Sequence, residues 1–254
     1  MKVRLWVIHG SHPGISAKLM LERKGIDYKL TILPPGFSRR LIKRFGFEGD
    51  RTPAMKIDGR KVQGSTQISR ELERVQPQPP LFPADPEKRK RVEEAEAWGD
   101  GEPQSIPRTI IWWAFKRDRS PMVSFLQNAP AAARFWLPPR LAVMTAGPMV
   151  NLGAKINDAN DEHVRTELGR LPAMLGHVDQ LIADGTLNGE ELNAADYQIA
   201  PSVRLLMAFE DLRPAIEARP AGDLAKRVLP ESAGSIPEIF PKEWLAPLRA
   251  PAAA

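Results

Sequence analysis

The chain has 254 residues, of which 43% are hydrophobic and 26% charged, ordinary globular usage for one large or two ordinary domains with a core to bury. No cysteine occurs, which excludes a disulfide frame, a thiolate metal site and Cys-x-x-Cys redox chemistry, so any thiol at work here arrives on a ligand. A formal charge of +5 and a pI near 9.5 mildly favour anionic partners, but Lys and Arg are dispersed along the chain, and nucleic acid is not indicated.

Lys2 to Ile8 reads as a buried strand rich in Val, Ile, Leu and Trp; broken by Arg4 and followed by no cleavage pattern, it is not a signal peptide. His9 to Gly14 forms a loop, with His9 packing at the strand end and His12 facing solvent, the alternative for either being a donor or base in chemistry at this loop. Ile15 to Lys24 has helical spacing, with Ala17, Met20 and Leu21 on one face, Ser16 turned to the first turn and Gly25 as the stop. Tyr28 to Leu33 is a second strand, ended by Pro34-Pro35-Gly36, so strand, helix and strand make a parallel crossover unit. Phe37 to Phe45 makes a short helix. Met55, Ile57 and Val62 flank Asp58-Gly59, a pair suited to a two-residue hairpin turn. With a cis bond before Pro53, the backbone groups of Thr52 are left to pair with an extended ligand. Gly64-Ser65 then opens a helix with Ile68, Leu72 and Val75 at i, i+4 and i+7. The unpaired amides of such a start favour a carboxylate, with Ser65 facing the same cleft as Ser11. The order by Val75 is βαβαββα.

Gln76 to Pro86 carries five prolines and reads as a stiff connector, with Asp85 and Pro86 capping and starting the next helix. The basic run Glu87 to Arg91, followed by Glu93, Glu94 and Glu96, reads as a solvated helix face. Pro103 and Pro107 interrupt or kink that helix. Trp112, Trp113 and Phe115 suit an apolar cavity, a core stripe or a dimer contact, and Phe135-Trp136 a cavity wall or core. Pro121 to Ile156 holds short helical pieces, with Pro138, Pro139, Arg140 and Pro148 ruling out a membrane span of roughly 20 apolar residues. Glu162 to Ile182 is an amphipathic helix on which His163 and His177 stand too far apart to chelate an ion, so no metal site is expected. Asn193 and Asp196 occupy N-cap and N3 positions, with Leu192 and Tyr197 as staple, so this segment starts a buried helix, and Ser202 to Leu212 then supplies a buried helix. The Pro- and Ala-rich tail beyond Leu245 is expected to be mobile.

Three of these stretches, in this order, resemble the glutathione transferase family: Ser11-His12-Pro13-Gly14 with Lys24-Gly25-Ile26-Asp27-Tyr28, the unit from Thr52-Pro53 to Ser65, and Leu192 to Pro201. The connector Leu81-Phe82-Pro83 is similar too, its bulky pair docking onto the other domain. The resemblance implies an α/β thioredoxin-like domain over residues 1–77, a linker over 78–86 and an all-helical domain over 87–254. It further implies glutathione or a related thiol as cosubstrate, a hydrophobic electrophile as second substrate, a homodimer, a cytoplasmic setting and no membrane partner. Ser11 takes the position of the catalytic serine that donates to the glutathione sulfur. Thr52 and Pro53 hold the cysteinyl backbone, and Ser65 holds the γ-glutamyl carboxylate. Gly64 stands where the family places an acidic or amide residue, a departure that suits the alternative of a non-catalytic binding protein.

Overall fold

The computed structural model describes residues 1–34, 36–127, 138–232 and 234–249. Its first elements are β1 (Val3–Ile8), α1 (His12–Arg23), β2 (Lys29–Leu33), α2 (Ser38–Arg44), β3 (Ala54–Ile57), β4 (Arg60–Gln63) and α3 (Ser65–Val75). The sheet order is β2-β1-β3-β4, with β1 and β2 parallel and the other pairs antiparallel. This thioredoxin-like arrangement is the expected βαβαββα order. Asp58 and Gly59 both take positive φ, 43° and 94°, as a two-residue turn matched to strand twist requires. Asp58 also accepts the Lys2 amide at 2.7 Å, tying the turn to the start of β1. Residues alternate across the pleat, so Trp6 and Ala54 share one face, where they cluster with Leu33, Ile42 and Phe47; α1 and α3 pack together.

From Pro86 on, the described elements are helical: α4 (Pro86–Arg117), α5 (Met122–Gln127), α6 (Pro139–Thr145), α7 (Gly147–Ile156), α8 (Asp161–Ala183), α9 (Ala194–Leu206), α10 (Arg213–Glu217), α11 (Pro220–Val228) and α12 (Ala246–Arg249). No helix among the described residues is long and apolar enough to cross a membrane. The chain divides into two compact units, residues 1–100 with 186–201, and residues 101–185 with 202–254. In the first, Asp85 accepts the Lys88 amide at 2.8 Å and caps α4. Leu81 and Phe82 are both buried; the Leu81 carbonyl accepts the Ala194 amide at 2.9 Å, and the Arg70 and Arg89 guanidiniums lie 4.2 and 5.1 Å from the Phe82 ring centroid. In the second, α11 and α12 pack on α8.

Several elements differ from the sequence reading. Pro103 and Pro107 do not interrupt their helix, α4 carrying both prolines inside. Glu96 is not on a solvated face: it is fully buried and Arg70 Nη1 donates to it at 2.5 Å. His12 does not face solvent but is 5% exposed, because the helix opens at His12 with Pro13 in its first turn rather than at Ile15. The helix α9 starts at the expected cap but ends at Leu206 with Pro201 inside, short of the expected helical end at Leu212. Beyond Leu245 the chain forms α12 as far as Arg249. Phe135 and Trp136 lie outside the described residues.

In the second unit the aromatic run of α4 forms core. Trp113 is 2% exposed, stacks on Phe240 with ring centroids 5.3 Å apart and donates through Nε1 to Asp161 at 2.8 Å. That bond, joined by one from Arg117, holds the Asp161 carboxyl below the usual range. Phe115 is buried beside Trp112 and Phe125. Asn160 caps α8 by accepting the His163 amide.

Candidate active site

The strand register gathers the site residues. Trp6 pairs with Ala54 and Ala54 with Gln63, so the end of β1, the start of β3 and the end of β4 lie at one end of the sheet. Ser11 follows β1, Thr52-Pro53 precedes β3, and Gly64-Ser65 follows β4. All five candidate residues therefore share that end. Gly64 fastens two of the segments, its amide donating to the Pro53 carbonyl at 2.9 Å.

Ser11 is the N-cap of α1, yet its side chain makes no capping bond. Its amide donates to the Ile8 carbonyl at 3.2 Å and its carbonyl accepts the Ile15 amide at 2.9 Å, so the backbone is fixed while the half-buried hydroxyl has no partner among the described residues. Ser16, one turn on, returns its hydroxyl to the His12 carbonyl at 3.0 Å.

The Thr52-Pro53 bond is cis, as expected. The loop around it is braced by Gln63, whose side chain accepts the Gly49 amide at 2.8 Å and donates to the Arg51 carbonyl at 3.1 Å. Among the described residues nothing hydrogen-bonds the backbone of half-buried Thr52, leaving one donor and one acceptor at the sheet end.

Gly64 is the N-cap of α3 at φ 88° and ψ 145°, and supplies no cap. This backbone suits glycine, and a Cβ here would strike the Gln67 side-chain oxygen. The departure from an acidic or amide residue thus has a local conformational reason. The first amides of α3 have no side-chain cap, and such a helix end attracts anions. Ser65 is the first residue of α3, as expected, but it is only 1% exposed and its hydroxyl donates to Asp100 at 3.2 Å. Gln198 Nε2 donates to the same Asp100 oxygen at 3.1 Å. A carboxylate arriving at this corner meets backbone amides first, and reaches the Ser65 hydroxyl only if that hydroxyl swings away from Asp100.

Asp100 and Gln198 were absent from the sequence reading. They lie 35 and 133 residues beyond Ser65 in the chain, and only the periodicity of α4 and α9 could have pointed to them. Asp100 supplies an anion beside a helix start that favours anions, a pair able to hold both ends of an amino-acid group.

Residues 5–80 match the family profile for the glutathione S-transferase N-terminal domain. The chain has the fold of the glutathione transferase superfamily. A glutathione S-transferase from Sinorhizobium meliloti is 14% identical with a TM-score of 0.61, over 98% of this chain and 92% of that one. Beta-etherase LigF from a Sphingobium species is 19% identical with a TM-score of 0.63, over 92% and 97%. A transferase from Methylobacterium radiotolerans, solved with glutathione sulfonate, is 16% identical with a TM-score of 0.54, over 95% and 99%. No curated protein sequence matches the chain. The transferase fold accounts for the sheet order, the cis proline and the helical half.

Proposed function

We propose that the chain is a glutathione-transferase-like enzyme that binds glutathione, or a related γ-glutamyl thiol, at this sheet end and conjugates its sulfur to a hydrophobic electrophile. The single observation that carries the reading is the meeting of a free Ser11 hydroxyl, an unengaged Thr52 backbone and an uncapped α3 start at one end of the sheet. The Thr52 amide and carbonyl pair with the cysteinyl backbone, in the manner of an added strand. The α3 amides, passing through Gly64, take the γ-glutamyl carboxylate, joined by Ser65; Asp100 takes the ammonium. The Ser11 hydroxyl donates to the sulfur, favouring thiolate over thiol. The thiol proton leaves to solvent, a sulfur–carbon bond forms, and the leaving group departs with the bonding pair. A homodimer and a cytoplasmic setting belong to the same reading.

The experiment is calorimetry with glutathione and with S-methylglutathione, followed by conjugation assays with a reactive aryl halide. Binding of both and turnover with the first are expected. Burial of Ser65 against Asp100 favours a second reading, a non-catalytic binding protein; S-methylglutathione binding without turnover, or binding of neither, would put it ahead.

A further inference from the structure

Behind the Ser65–Asp100 contact lies a second pair with the same spacing. Ser69 follows Ser65 by four on α3, and Glu96 precedes Asp100 by four on α4, so each pair shares a helix face. Ser69 and Glu96 are both fully buried, and Arg70 Nη1 bridges them, donating to Ser69 Oγ at 3.1 Å and Glu96 Oε2 at 2.5 Å. Ser69 in turn donates to the Thr66 carbonyl at 2.7 Å in the first turn of α3. The other oxygen of Glu96 is buried with no hydrogen-bond partner among the described residues.

Such a carboxyl is a poor device for stability, since replacing a buried ion pair whole by apolar side chains of similar volume is often neutral or stabilising. Burial pushes the Glu96 carboxyl above its usual range, and the Asp100 charge one turn away adds to the rise while Ser69 and Arg70 oppose it. Its geometry gives it a different use. Through Arg70 it links α3 to α4 one turn behind Ser65 and Asp100.

We propose that Glu96, seated by Arg70, is a positioning residue that holds Ser65 and Asp100 in place for capture of an amino-acid end. The ligand class rests on the function proposed above; the register does not.

The test compares Glu96→Met with Glu96→Gln in the full chain by crystal structure, melting temperature and affinity for S-methylglutathione. The Met variant is expected to fold with a lower melting temperature, because Arg70 loses its partner, to lose the Ser65–Asp100 hydrogen bond that reports the register, and to bind about tenfold more weakly because Asp100 is no longer set for the ligand's ammonium, the scale of one hydrogen bond to a charged group. Its kcat at saturating glutathione stays within about twofold of the parent, so the loss falls on KM. The Gln variant, which keeps an acceptor for Arg70, restores both bond and affinity. A Met variant that fails to fold, or that keeps the bond and the affinity, overturns the proposal, as does failure of Gln to rescue. If the parent does not bind S-methylglutathione, the crystal structures still decide: a bond lost in Met and kept in Gln upholds the positioning role while rejecting the γ-glutamyl ligand.

Discussion

Replacing Asp196 by Ala should destabilise the protein more than any other substitution in its capping unit. Asp196 is fully buried; one oxygen accepts the Asn188 amide at 2.7 Å and the other the Asn193 amide at 2.8 Å. Asn193 reciprocates, accepting the Ala195 and Asp196 amides at 2.9 and 3.3 Å. Leaving a buried donor unpaired costs about 1–3 kcal/mol, so two orphaned amides put Asp196→Ala at about 3–5 kcal/mol. That is a large share of a typical total of about 5–15 kcal/mol. Asp196→Asn, which keeps a single carbonyl oxygen, should fall near half, and Asn193→Ala near the ordinary cap value of about 1–2 kcal/mol. The two Ala substitutions share one network, so their double variant should lose less than the sum. Urea unfolding followed by fluorescence measures all four, with hydrogen exchange at the Asn188 and Asn193 amides as a local check on Asp196 and at the Ala195 and Asp196 amides on Asn193. A loss below about 1 kcal/mol for Asp196→Ala would refute the assignment of this carboxylate to the paired amides.

Ser11→Ala should lower turnover with glutathione while changing its affinity little, and should shift the pH–rate profile to the alkaline side, because removing a donor to the thiolate raises the thiol pKa; an unchanged profile assigns Ser11 to capping geometry alone. Lys24 is buried with its ammonium on Glu73 and the Pro77 carbonyl, so Lys24→Ala should cost about 3 kcal/mol and the Lys24→Met/Glu73→Met pair far less, as read by thermal melts. Trp113→Phe removes the foremost bond holding the Asp161 carboxyl down, and carboxyl NMR should show Asp161 titrating at higher pH. The raised Glu96 pKa means that the folded state keeps a proton the unfolded chain releases above about 4.5. Its contribution is therefore full below that pH and is lost as pH rises through the folded value. Glu96→Gln should accordingly gain on the parent between pH 4 and pH 7, and a constant difference in melting temperature would sink this account.

The parts of the fold that were legible in the sequence are those specified by near neighbours. Asp58-Gly59 dictates its turn, Asn193 and Asp196 dictate their cap, and Pro53 and Gly64 mark the bends that bring three segments to one sheet end. What escaped was decided by residues distant in the chain. Glu96 sits in a charged run that reads as solvated, and only Arg70, 26 positions earlier, shows that it is buried. Asp100 carries no motif, and its meaning comes from Ser65 on one side and Gln198 on the other. His12 lies inside α1 rather than in the loop because Pro13 is favoured in a first helical turn.

The division of the chain has a bearing on how this fold can be cut and rejoined. Residues 186–201 belong with residues 1–100, and α4 and α9 each run across the boundary between the units. A fragment ending at the proline-rich connector would strand the Leu81 carbonyl without Ala194 and Ser65 without Asp100. The sheet-bearing half is thus no portable cassette: grafted onto another helical partner, it would have to bring along the opening turns of two helices.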